Sequence, residues 1–226
     1  MENLKNENFL IEEMNSNKSL KWLTISRGLI IEKVDENTPG AKKRINKLNN
    51  EVYEKFYKKV GLVIKNIWIE EGVYGKQIMI SFNLNEDNAT LTINNDSSYG
   101  RSFYQQIFNC DLSKQIVIHP YRFEDDKGKT RTGVTIYQNG TKVEKQFPTD
   151  TPEVEFTEKN NKYFVNQIQQ EERMEFLEKE LTNFASKNNV GRPDFIKNKS
   201  ENVDIAGTVR PENSKKTDSD FDFDDF

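Results

Sequence analysis

Basic and aromatic side chains recur together through the middle of this chain, and the pairing has a definite chemistry. Lys65 lies near Trp68, Tyr74 near Lys76, Tyr99 near Arg101, and Tyr121 beside Arg122; Lys127, Lys129 and Arg131 precede Tyr137. Cations neutralise phosphates, and flat rings stack with unpaired bases, each stack contributing roughly 1–3 kcal/mol. Residues 37–50 add Lys42, Lys43, Arg44 and Lys47 with no acid after Glu36. That run fits a phosphate-contacting flap and equally a solvated loop. Every ring also has a plainer use, core packing. Phe82 and Phe108, on apolar faces, are expected in the core, and Trp68 is divided between the two uses. Tyr74, in a Gly-flanked turn, and Tyr137, opposite Val134 and Ile136, are expected at the surface.

Other chemistries find few residues. Cys110 is the sole cysteine and His119 the sole histidine, too few for an internal disulfide or a Cys/His zinc module. His119 lies before Pro120 with no partner at ligand spacing, and reads as a structural or surface residue. No phosphate loop, dinucleotide Gly motif or Gly-x-Ser-x-Gly elbow occurs. Asp125 and Asp126 fit turn positions. The expectation is a non-enzyme, without catalytic residues, metal or cofactor.

Charge is segregated. The whole chain of 226 residues carries 33 Lys+Arg and 37 Asp+Glu, a net of −4. Residues 18–147 hold 21 bases against 15 acids, a net of +6, whereas residues 1–17 hold one Lys and four Glu. Residues 218–226, DSDFDFDDF, hold five Asp, three Phe and no base. A basic centre points to an anionic partner. In the tail, Asp220, Phe221, Asp222, Phe223, Asp224, Asp225 and Phe226 combine apolar anchors with charges for a basic rim, a pattern suited to a protein partner. The same segment could occupy the basic groove and compete with nucleic acid.

These residues need a scaffold. No run nears the roughly 18 apolar residues of a membrane helix, and the acidic, Asn-rich start predicts no secretory signal. Residues 19–34 read as strand, tight turn, strand around Ser26-Arg27-Gly28, and 37–50 as a loop with room for one helical turn. Phe56 to Ile69 is a long β segment broken at Gly61. In 76–84, Ile78, Ile80, Phe82 and Leu84 alternate with Gln77, Met79, Ser81 and Asn83; in 89–93, Leu91 and Ile93 alternate with threonines. Phe103, Tyr104, Ile107 and Phe108 make the stripe of a short helix over 98–109. Strands follow at 115–123 and 131–138. Asn139-Gly140 is a two-residue hairpin signal, with 142–147 returning. Three strands, a helix, then two strands give the order of an OB-fold, a small Greek-key barrel. The expected class is mainly β: this barrel with an extra N-terminal hairpin, a helix between strands three and four, a C-terminal helix and disordered tails. The divisions are 1–17, a flexible arm; 18–147, the nucleic-acid-binding domain; 148–187, a linker and amphipathic helix; 188–217, a disordered linker; and 218–226, the acidic tail. The helix, over 163–187 with Ile168, Met174, Leu177, Leu181 and Phe184, serves either the barrel's flank or a docking partner.

The OB order over roughly 56–147, joined to a C-terminus ending Asp224-Asp225-Phe226, resembles the single-stranded-DNA-binding proteins of bacteriophages. The stretches GVYGKQIMI, SYGRSFYQQI and RTGVTIYQNG also look like such a replication protein. The bacterial tip usually has Ile-Pro before its Phe, and the zinc-containing phage type needs ligands this chain lacks. The 26 Asn and 25 Lys fit an AT-rich genome. The resemblance implies largely sequence-independent binding of single-stranded DNA in replication and recombination, in the host cytoplasm if phage-encoded. It also implies recruitment of polymerase, helicase-primase or recombination factors by the tail, with an oligomer left open. Two rivals are a protein-interaction adaptor that does not use DNA and a metal-dependent nuclease.

Overall fold

Alternating apolar residues build most of the strands. In the computed structural model, residues 20–193 are described, apart from 47–48, 73–74, 85–86 and 160–161. β1 (Lys21–Ser26) and β2 (Leu29–Val34) form a hairpin whose turn residues Arg27 and Gly28 take φ of 55° and 75°. β3 (Lys42–Ile45) pairs with β4 (Glu51–Tyr57), so the expected 37–50 loop contains an edge strand. The expected break at Gly61 falls elsewhere. Gly61 lies inside β5 (Val60–Leu62), and the strand is interrupted at Lys58–Lys59 and at Val63 before β6 (Ile64–Gly72). β7 (Gly75–Leu84) and β8 (Asp87–Asn94) complete an antiparallel meander with β6. Ile78, Ile80, Phe82, Leu91 and Ile93 are buried as their alternation requires; Met79 and Thr90, on the opposite faces, are buried too.

After α1 (Ser98–Ile107) come β9 (Ile116–Glu124), β10 (Thr130–Gln138) and the two-residue β11 (Thr141–Lys142). Asn139 and Gly140 turn between the last two with φ of 52° and 77°, the primed turn that suits strand twist. The return strand is shorter than the expected 142–147. The chain leaves the ladder after Val143, whose N–H reaches the Ile136 carbonyl at 2.9 Å, and Gln146 then donates to the Gln105 carbonyl at 2.7 Å.

The strands form a seven-stranded sheet, β3-β4-β2-β1-β8-β7-β6, and a four-stranded sheet, β11-β10-β9-β5. The expected closed barrel does not form among the described residues, for an identifiable reason. The second edge of β8 pairs in parallel with β1. On β10, the Val134 N–H donates to Ser102 Oγ at 2.7 Å and the Ile136 N–H to Gln106 Oε1 at 2.8 Å, while Gln106 Nε2 donates to the Val134 carbonyl at 3.0 Å. Side chains of α1 thus satisfy backbone groups that a neighbouring strand would otherwise meet.

Residues 148–162, expected as linker or edge, contain β12 (Phe156–Lys159), paired with β13 (Lys162–Val165). The C-terminal helix therefore starts later than 163: α2 spans Gln167–Lys187, capped by Asn166. Met174, Leu177, Leu181 and Ala185 enter the common core, and Phe184 meets Phe108 edge-on at 5.6 Å. Ile168, expected on that stripe, is 69% exposed. Residues 188–193, expected to be disordered, are held against β6: Ile67 N–H donates to Val190 O at 2.7 Å, Asn66 Nδ2 to Gly191 O at 2.8 Å, and Arg192 to Glu70 at 3.0 Å. No described helix is long and apolar enough to cross a membrane.

Candidate nucleic-acid interface

Strand parity decides which side chains share a surface. On β9, Ile116, Ile118 and Pro120 point inward, so Val117, His119, Tyr121 and Phe123 face outward. The antiparallel register with β10 sets them in four rows: Phe123 with Arg131, Tyr121 with Gly133, His119 with Thr135, and Val117 with Tyr137. Tyr137 pairs onward with Lys142. Each row carries one flat side chain, Phe123, Tyr121, His119 or Tyr137. Phe123 is 54% exposed; the other three are half-buried.

Two adjoining clefts run over this face. One, of about 470 Å³, is lined by Lys58, Lys59, Val117, His119, Tyr137 and Gly140. The other, of about 560 Å³, is lined by Tyr121, Phe123, Asp125, Arg131, Thr135, Lys142 and Lys145. Lysine pairs therefore border the ring rows at both ends, and all four of these lysines are exposed. Lys145 Nζ stands 5.3 Å from the Tyr121 ring centroid and 3.2 Å from its hydroxyl. Arg131 is partly neutralised by Asp125 at 2.8 Å. The Lys129 backbone N–H and then Arg131 hold the Asp125 carboxyl below the usual range. Exposed Glu144 lies in the strap between Lys142 and Lys145.

Of the sequence-predicted contacts, Tyr121, Arg131 and Tyr137 converge here. Lys127 and Lys129 are exposed in the adjoining turn, where their backbone N–H groups donate to Asp125 Oδ1 at 3.0 and 2.9 Å. Arg122, paired with Thr132, lies on the opposite side of the sheet. Trp68 is a core residue, 8% exposed, whose Nε1 donates to Glu70 at 2.9 Å. Tyr99 is 3% exposed and its hydroxyl accepts the Gly28 N–H at 2.7 Å. Lys76 is paired with Glu178 at 2.7 Å, and that carboxylate raises its pKa. Lys65 is exposed on β6, 3.3 Å from Asn88 Oδ1, and exposed Arg101 bonds the Asp96 carbonyl.

The proposed flap is mostly occupied by its own carboxylates. Arg44 forks onto Glu54 at 3.0 and 2.6 Å, and Lys43 pairs with Glu51 at 2.6 Å. Lys42 stands 6.0 Å over the Phe56 ring. Lys47, Tyr74 and residues 220–226 lie outside the described residues. Lys58, Lys59, His119, Phe123, Lys142 and Lys145 share this face and are not among the sequence-predicted contacts. Counting by twos from Tyr121 finds His119 and Phe123, and the Asn139-Gly140 turn places Lys142 beside Tyr137; the lysines of 58–59 and 145 need the tertiary fold.

Among the described residues, no three or more His, Cys, Asp or Glu side chains gather where they could hold a metal ion. Comparison with family models, curated proteins and solved structures finds no match.

Proposed function

We propose that this chain binds single-stranded DNA, largely independently of sequence, on the outer face of the β9–β10 sheet. The observation that carries the reading is the run of four flat side chains, one per row, bordered by four exposed lysines. Lysines neutralise phosphates and release counterions, and the rings accept unpaired bases. An OB-like path supports it: β6-β7-β8 meander, α1 follows, and β9 of the β9–β10 hairpin returns to β5. In this reading the barrel is open beside β10. The protein works without catalysis in phage-type replication or recombination. The 218–226 tail recruits replication proteins and competes with DNA.

The test is a fluorescent oligo-dT of 30 nucleotides titrated by anisotropy across a salt series. Four phosphate contacts predict a slope of log K against log salt of about −3 (roughly −0.7 per contact). No binding in low-salt buffer overturns the proposal. Removal of 218–226 should tighten DNA binding; unchanged or weaker binding overturns the competition. A second reading, a protein adaptor, is favoured by the exposed apolar side chains of Phe156, Phe164, Val165 and Ile168. Against it, the apolar stripe of α2 is already packed in the core. The same titration separates the two.

A further inference from the structure

The spacing of the rings constrains the form of the strand they would take. Outward side chains on a β-strand recur every two residues, about 6.6 Å apart. Bases in a stacked strand follow one another at about 3.4 Å. Two neighbouring bases stacked on each other therefore cannot both lie on rings of successive rows. The Tyr121 and Phe123 centroids are 5.7 Å apart, with the planes inclined at 35°. A base sandwiched between parallel rings needs about twice the 3.4 Å step, so none fits between these two. Each ring offers only its exposed surface, to a single base.

We infer that the face takes an extended strand with its bases unstacked from one another, one nucleotide per row. This rests on the proposed function. Phe123, Tyr121, His119 and Tyr137 each receive one base. The phosphates pass Lys145 and Lys142 at one border and Lys58 and Lys59 at the other. Four rows separated by three steps span about 20 Å, so the footprint is about four nucleotides. The last step crosses strands: Tyr137 stands on β10 while the other three rings stand on β9. Gly133, with no side chain, leaves Tyr121 lying across β10, and it keeps the second row clear. Duplex DNA is excluded from this mode because its bases are paired and stacked.

The test uses the full chain and unlabelled dT2, dT3, dT4, dT5, dT6 and dT8 competing against labelled dT30. Affinity should rise several-fold with each nucleotide up to four, then less than twofold per added nucleotide. The dT tetramer should bind at least threefold tighter than the dA tetramer, whose bases must first unstack. Phe123→Ala and Tyr137→Ala should each weaken dT4 by at least fivefold and should couple weakly, because they contact different nucleotides. Steep gains continuing to dT8, or dA4 matching dT4, overturn the extended register while leaving single-strand binding intact. Failure of dT30 itself to bind overturns the functional reading, and this inference with it.

Discussion

Gly133→Ala tests the second row at a single atom. A β-carbon at Gly133 would stand 2.5 Å from the Tyr121 hydroxyl oxygen, 2.8 Å from Tyr121 Cζ and 2.9 Å from Ser102 Oγ. Ordinary contact begins near 3.4 Å, so the neighbours must yield by about 1 Å. Ser102 is held on the buried side, where its Oγ accepts the Val134 N–H at 2.7 Å. The end of the Tyr121 side chain is the freer body, and it should lift off β10 and part from Lys145. Overpacking usually costs about 1–3 kcal/mol. Here the low end is expected, because the displaced ring opens towards solvent; about 1 kcal/mol lowers Tm by about 2–4 °C. Loss of one base stack costs roughly 1–3 kcal/mol, about 5- to 150-fold in Kd. Anisotropy with dT30 reads the affinity and a circular-dichroism melt reads the fold. In a Tyr121→Ala background the alanine at 133 should have almost no further effect on affinity, and on the melt only the smaller cost of its 2.9 Å approach to Ser102 Oγ should remain. A folded Gly133→Ala protein with native affinity, or a full additional loss in the Tyr121→Ala background, would refute this account of the second row.

Three further outcomes follow from the fold. Gly28→Ala places a β-carbon 2.6 Å from the Arg122 backbone nitrogen at a φ of +75°; about 2–4 kcal/mol should be lost in urea unfolding, and native stability would contradict the packing of the β1–β2 turn on β9. Arg44→Met should destabilise by about 1–3 kcal/mol at pH 7 by stranding Glu54, whose side chain is 2% exposed, against 34% for Arg44. The Arg44 hydrogen bond holds the Glu54 carboxyl below its usual value. The pair's contribution is therefore present above the unfolded carboxylate pKa and is lost as pH falls through the lowered one. The mutant's deficit should shrink at pH 3, and an equal deficit at both pH values would be inconsistent with this pairing. Burial pushes the Cys110 thiol up to about 12, so at pH 8 it is protonated and enclosed. A thiol reagent should label one site per chain only after unfolding; rapid labelling of the native protein would show that Cys110 is not enclosed in the core.

Local pattern revealed much of the β structure and less of the site. The alternation in 76–84 and 89–93, and the turns at Arg27-Gly28 and Asn139-Gly140, express backbone geometry over two to four residues, so β7, β8 and the hairpins were legible. The β3–β4 pairing was not, because Lys42 to Ile45 is polar and becomes a strand only by bonding to β4. Trp68 and Tyr99 illustrate the same limit. A ring beside a charge can serve a surface or a core, and the choice depends on residues distant in sequence, such as Gly28 bonding to Tyr99.

The sequence by itself determined a mainly β chain, a basic centre, an acidic Phe-bearing tail and the ring-and-cation composition of a candidate interface. The tertiary structure decided which rings and cations share a face. It also decided that the sheets stay open among the described residues, since Ser102 and Gln106 of α1 occupy backbone groups of β10 and β1 pairs with β8. The physical reason is range. Alternation reflects the two-residue repeat of one strand, whereas strand partners and shared faces depend on contacts between segments far apart in the chain.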